Sequence, residues 1–103
     1  MAGITTHVLD TVNGKPGAGM RIEFAMREGA AFVLKKTVFT NADGRTDQMI
    51  LAPDATQVGE YELRFFVDEY FRSKGMVLPN PPFIEAVPIR FSVFDVKQHY
   101  HVP

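Results

Sequence analysis

The stretch MRIEFAMR, residues 20–27, alternates apolar with polar side chains: Met20, Ile22, Phe24 and Met26 fall on one face, Arg21, Glu23 and Arg27 on the other. Successive side chains leave an extended backbone on opposite sides, so a period of two marks a strand with one buried and one wet face. The rhythm returns in YELRFFV (61–67), with Tyr61, Leu63, Phe65 and Val67 inward. It returns again in VPIRFSVFD (87–95), with Val87, Ile89, Phe91 and Val93 inward and Pro88, Arg90 and Ser92 outward. Pro88 has no N–H to give to a ladder, which places its strand at an edge or at a bulge. ITTHVLDT (4–11) and AFVLKKTVFT (31–40) are two further strands, rich in β-branched residues.

The punctuation between these runs agrees. NGKPG (13–17) and NADGR (41–45) are turn sequences, in which Gly supplies positive φ and Asn or Asp bonds its own backbone. VLPNPP (77–82) reads as a rigid loop. DEYFRSKG (68–75) breaks the alternation and predicts one short helix, with Asp68 as its N-cap, Lys74 in its last turn and Gly75 as its stop. Many short strands with regular turns and a single helix predict an all-β, two-sheet antiparallel sandwich.

Size and composition set the outer limits. The 103 residues make a single domain, 1–103, with 46% hydrophobic and 22% charged residues, ordinary for a globular chain. A net charge of -1 carries no electrostatic footprint for nucleic acid or an anionic membrane, so small molecules or other proteins are the expected partners. With no cysteine there is no disulfide, thiolate metal site or cysteine nucleophile. No stretch reaches transmembrane length and the first ten residues do not read as a secretory signal, which makes the cytoplasm the expected location.

Chemistry has few places to sit. His7 shares a strand face with Thr5 and Leu9, opposite Val8; His99 and His101 share a face, with Tyr100 on the other; Arg45 follows a Gly turn. One by one these residues have ordinary readings. A single His on a strand is more often a surface residue than a catalyst, and Arg45 beside Asp47 makes a local ion pair of little worth. A sharper reading is a three-histidine zinc site with an open fourth position. Against it, a nearby guanidinium repels a dication.

Taken jointly the motifs are more specific. HVLDT (7–11), GKP (14–16), TNADGRTD (40–47), GEYELRF (59–65) leading into YF (70–71), and HYHVP (99–103) resemble, in order and approximate spacing along the whole chain, the transthyretin-related 5-hydroxyisourate hydrolases. The resemblance implies a transthyretin-like sandwich of two four-stranded antiparallel sheets with one short helix. It implies a homotetramer, a dimer of dimers whose active sites face the central channel. The implied reaction is hydrolysis of 5-hydroxyisourate to 2-oxo-4-hydroxy-4-carboxy-5-ureidoimidazoline in urate breakdown, with no metal or organic cofactor. By motif, His7, Arg45 and His101 are the implied catalytic residues, and His7, Arg45 and His99 the implied substrate contacts.

The chemistry suits those residue types. Opening a cyclic amide needs a base to activate water, and imidazole titrates near working pH. It also needs fixed positive charge where an oxyanion develops, which a guanidinium supplies. Members of that family continue past HYHVP with a further strand, a turn and a last strand ending in Tyr-Arg-Gly-Ser, none of which is in this sequence. The expectation is therefore that the C-terminal strand of the fold is missing and that a polypeptide ending at Pro103 folds poorly or loses activity. The competing function class is a non-catalytic transthyretin-like binding module.

Overall fold

The structure is a computed structural model describing residues 3–103. Its elements are β1 (Gly3–Thr6), β2 (Leu9–Asp10), β3 (Lys15–Pro16), β4 (Arg21–Glu28), β5 (Ala31–Phe39), β6 (Gly59–Phe65), α1 (Val67–Ser73), β7 (Val87–Val93) and β8 (His99–Val102), with a 3-10 turn at Pro53–Ala55. The alternating stretches assemble one antiparallel sheet in the order β5-β4-β6-β7. Across it Phe24 stands opposite Leu63, which stands opposite Ile89; Ile22, Phe65 and Val87 form the adjacent row. Tyr61 stacks between Phe24 and Phe91, with ring centroids 5.5 and 5.9 Å away. Ile22, Phe24, Tyr61 and Leu63 are fully buried, each contributing on the order of 1.5–3 kcal/mol of hydrophobic stabilisation.

Both edges behave as their sequences require. β7 is an edge strand, where the missing N–H of Pro88 leaves no interior ladder broken. On the far edge, Phe24 faces Lys36 while Ala25 faces Leu34, so Lys35 is the extra residue of a bulge in β5. Lys35 pairs with Glu28 there, and a bulge carrying lysine blunts an edge against further strand pairing.

Three expectations need correction. The facing layer is smaller than a second four-stranded antiparallel sheet: among the described residues, β1 pairs with β8 in parallel, Ile4 bridges Leu51, His7 bridges Arg45, and β2 pairs with β3 as a short ribbon. Almost the whole chain lies between β1 and β8, long enough for the crossover that a parallel pair demands. Next, YELRFFV stops being a strand at Phe65; Val67 already begins the helix, whose N-cap is Phe66. Asp68 is thus a first-turn residue without a capping bond, and it favours the helix through the dipole alone. Finally, ITTHVLDT is not one strand, because it breaks after Thr6.

The helix end is as expected. Gly75 lies at φ +83°; its N–H reaches the carbonyl of Arg72 at 3.0 Å and the Met76 N–H reaches that of Phe71 at 3.1 Å, the paired bonds of a Schellman stop. No helix among the described residues is long and apolar enough to cross a membrane.

The helix is tethered to the β2–β3 ribbon by one buried bond. Tyr70 donates its hydroxyl to Asp10 Oδ2 at 2.6 Å. Asp10 also accepts from the N–H groups of Val12 and Asn13 and from Asn13 Nδ2. The Tyr70 bond, then the Asn13 side chain, hold the Asp10 carboxyl down at about 2 from its ordinary 3.8. Burial, then Asp10, pushes the Tyr70 hydroxyl up to about 12 from 10.0. A depressed carboxyl stabilises the fold above its unfolded value and loses that contribution as pH falls through the folded value; a raised phenol does so below its unfolded value and loses it as pH rises. Tyr70→Phe should therefore lessen the loss of stability between about pH 4 and 2 and between about pH 10 and 12. Urea melts of both proteins through those ranges check this; superimposable pH profiles would show that the pair does not carry the linkage.

Candidate active site

Residues at odd positions of β1 and β8 leave the core layer outward. Ile4 and Thr6 are buried on the inner face, and Tyr100 and Val102 pack against the same core. The pairing sets Thr5 opposite His101 and Gly3 opposite His99. The outer face thus carries Thr5, His99 and His101, as alternation in HYHVP requires.

His7 joins them from just beyond β1. Its N–H reaches the Val102 carbonyl at 3.4 Å, and its antiparallel bridge to Arg45 puts the two side chains on one side of the backbone. The His7 Nε2 lies 3.0 Å from the Asp43 carbonyl. A carbonyl can only accept, so Nε2 carries the proton in that bond and Nδ1 is the bare nitrogen of the neutral ring.

The NADGR turn supplies the other wall. Asn41 Oδ1 accepts from the N–H groups of Asp43 and Arg45, at 2.9 and 3.2 Å, the self-bonding expected of Asn in a turn. Asp47 accepts instead from Asn41 Nδ2 at 3.1 Å, and Arg45 takes part in no ion pair among the described residues. The ordinary reading of an Arg45–Asp47 pair is thereby corrected. Asp47 braces the turn, leaving the guanidinium exposed beside the histidines.

The charges around His101 follow from this grouping. Desolvation first, then the positive fields of Arg45, His99 and His7, hold the His101 imidazole below its ordinary 6.5. A ring so placed is neutral at neutral pH and available as a base.

The structure therefore gathers all four residues singled out in the sequence, His7, Arg45, His99 and His101, on one outward face. Sequence reading placed Thr5 on the same face as His7 but assigned it nothing. Its Oγ1 lies 2.9 Å from His99 Nε2 and 2.9 Å from His101 Nδ1. Among the described residues, no three His, Cys, Asp or Glu side chains are grouped to hold a metal. The face is open, with Arg45, His99 and His101 exposed; two concavities lie elsewhere, on the outer side of the four-stranded sheet and between β2, α1 and β7.

Comparison with known proteins gives a consistent result. A family model described as the HIUase/Transthyretin family matches residues 4–103. A protein of Mesorhizobium japonicum named 5-hydroxyisourate hydrolase is 50% identical over 97% of this chain and 80% of its own. One of Rhizobium meliloti, 5-hydroxyisourate hydrolase 2, is 48% identical over 97% of this chain and 83% of its own. Among solved structures, (S)-allantoin synthase superposes with a TM-score of 0.86 at 37% identity, over 97% of this chain and 38% of that one.

If Arg45 depresses His101 through its charge, Arg45→Gln should raise the His101 pKa, yet leave it below the ordinary value because desolvation remains. Proton NMR titration of the His101 ring reads this directly. An unchanged midpoint would place Arg45 out of electrostatic reach.

Proposed function

Since the chain belongs to the HIUase/Transthyretin family, we propose that it is a 5-hydroxyisourate hydrolase, an enzyme that opens the six-membered ring of 5-hydroxyisourate to give 2-oxo-4-hydroxy-4-carboxy-5-ureidoimidazoline. The observation that carries the reading is the convergence of His7, Arg45 and His101 on one face, in a chain about half identical to proteins of that name.

Each residue has a task in that reaction. Neutral His101 takes a proton from water as the oxygen adds to the ring carbonyl. The Arg45 guanidinium, in no ion pair among the described residues, meets the charge that develops on the carbonyl oxygen. As the C–N bond breaks, the departing ring nitrogen takes the proton back from the imidazolium. His7, held by the Asp43 carbonyl, presents its bare Nδ1 as an acceptor that orients the substrate or the water. His99 flanks the same face as a substrate contact. Imidazole and guanidinium suffice, so neither metal nor organic cofactor takes part.

An open sheet face excludes water poorly, and a small substrate is normally held in a concave site. That is what supports a homotetramer, a dimer of dimers in which a second copy closes the face from across a central channel. A cysteine-free chain is at home in a reducing cytoplasm.

Following the decay of freshly made 5-hydroxyisourate spectroscopically tests the function; no acceleration over buffer would leave a binding module. His101→Ala should lower turnover by about 10²–10⁴-fold, the scale of a general base. Arg45→Ala should lower it by roughly 10²–10³-fold, the scale of an oxyanion donor. His7→Ala should also be strongly impaired, and His99→Ala milder than His101→Ala. Near-normal rates in any of the first three would remove that residue from the mechanism. Turnover should also survive exhaustive chelation, and its loss on removal of stoichiometric zinc would revive the metal alternative.

A further inference from the structure

Among the described residues, Thr5 is the one side chain hydrogen-bonded to two of the face's histidines, and hydrogen-bond arithmetic makes that contact informative. Its hydroxyl has one proton to give and two lone pairs to accept with. Two ring nitrogens share it, His99 Nε2 and His101 Nδ1, each at 2.9 Å. It cannot donate to both. At least one of the two nitrogens must therefore carry a proton of its own, and the choice determines where the lone pair of each ring points. Gly3 stands opposite His99 and offers no side chain, so the His99 ring leans diagonally to the hydroxyl that faces His101 directly.

We propose that Thr5 is a positioning residue for the hydrolysis, fixing His101 in the tautomer whose bare Nε2 faces the substrate and linking it to His99. In this arrangement His101 Nδ1–H donates to Thr5 Oγ1, and the Thr5 hydroxyl donates to His99 Nε2. Nε2 of His101 is then the basic atom. When it takes the proton from water, the imidazolium remains bound to Thr5 through Nδ1, and the hydroxyl keeps its own proton on the exposed His99. The opposite order, Thr5 donating to His101, would place the proton on Nε2 and leave no base toward the substrate. This role rests on the reading of His101 as the base; the bond pattern itself does not.

Two measurements separate those layers. Long-range nitrogen–proton NMR of the unaltered protein should show His101 protonated at Nδ1 in its neutral form. A ring protonated only at Nε2 would overturn the assignment, whatever the activity. In Thr5→Val, which keeps the β-branched shape, the Nδ1-protonated form should no longer dominate. kcat should fall about 10–100-fold, as when a group orienting a functional imidazole is lost, with KM little changed. Thr5→Ser should restore both tautomer and rate. Unaltered tautomer and kcat in Thr5→Val would sink the proposal. Should the unaltered protein not accelerate 5-hydroxyisourate decay at all, the functional reading fails while the tautomer spectrum still decides the Thr5 bond pattern.

Discussion

The site depends on the register of β1 against β8. Ile4 and Thr6 on one strand and Tyr100 and Val102 on the other are held inward by the core, which leaves Thr5, His99 and His101 no choice but to face outward. A slip of one residue would reverse every one of these assignments. It would bury two imidazoles and expose Ile4, at a cost of several kcal/mol for the unpaired polar groups alone. Thr6 adds a lock of its own, donating its hydroxyl to the Val102 carbonyl at 2.5 Å. The chemistry of the face is thus stabilised by side chains that never touch it.

Arg45 is placed by a different device. The Val8 N–H reaches the Gly44 carbonyl at 2.8 Å, and the Gly17 N–H reaches the Val8 carbonyl at 2.9 Å. Three segments meet there with no room for a side chain: a Cβ on Gly44 would lie 2.3 Å from the Val8 carbonyl oxygen, at φ +77°. Only glycine fits both the angle and the gap. Gly44 therefore helps fix the backbone from which Arg45 bridges His7.

Much of this was legible in the sequence because burial writes itself as period two. The inward rows of β4, β6 and β7, the edge position that Pro88 demands and the outward pair His99 and His101 all follow from alternation. What alternation does not encode is pairing between distant strands, so the parallel β1–β8 ladder and the double contact of Thr5 stayed invisible. The helix start departs from the sequence expectation because Asp68 looks like a cap, whereas the N-cap is Phe66, two residues earlier, and Val67 is the first helical residue. Period two points Glu62 outward, toward solvent. It is 4% exposed, enclosed by Arg64 and Arg90 at 3.1 Å each, with Arg90 laid over the Phe32 ring. Charge pairing across neighbouring strands can bury a polar position that periodicity assigns to solvent.

The parallel pairing of the first strand with the last also bears on the order of events during synthesis. The four-stranded sheet needs no residue beyond Val93, and its β4–β5 pair is a tight hairpin. The histidine face instead waits for the largest loop in the chain to close, the slowest kind of contact to form. A nascent polypeptide can thus assemble the four-stranded sheet on the ribosome while the histidine face is still unformed. That face forms only when His99–Val102 docks beside Gly3–Thr6.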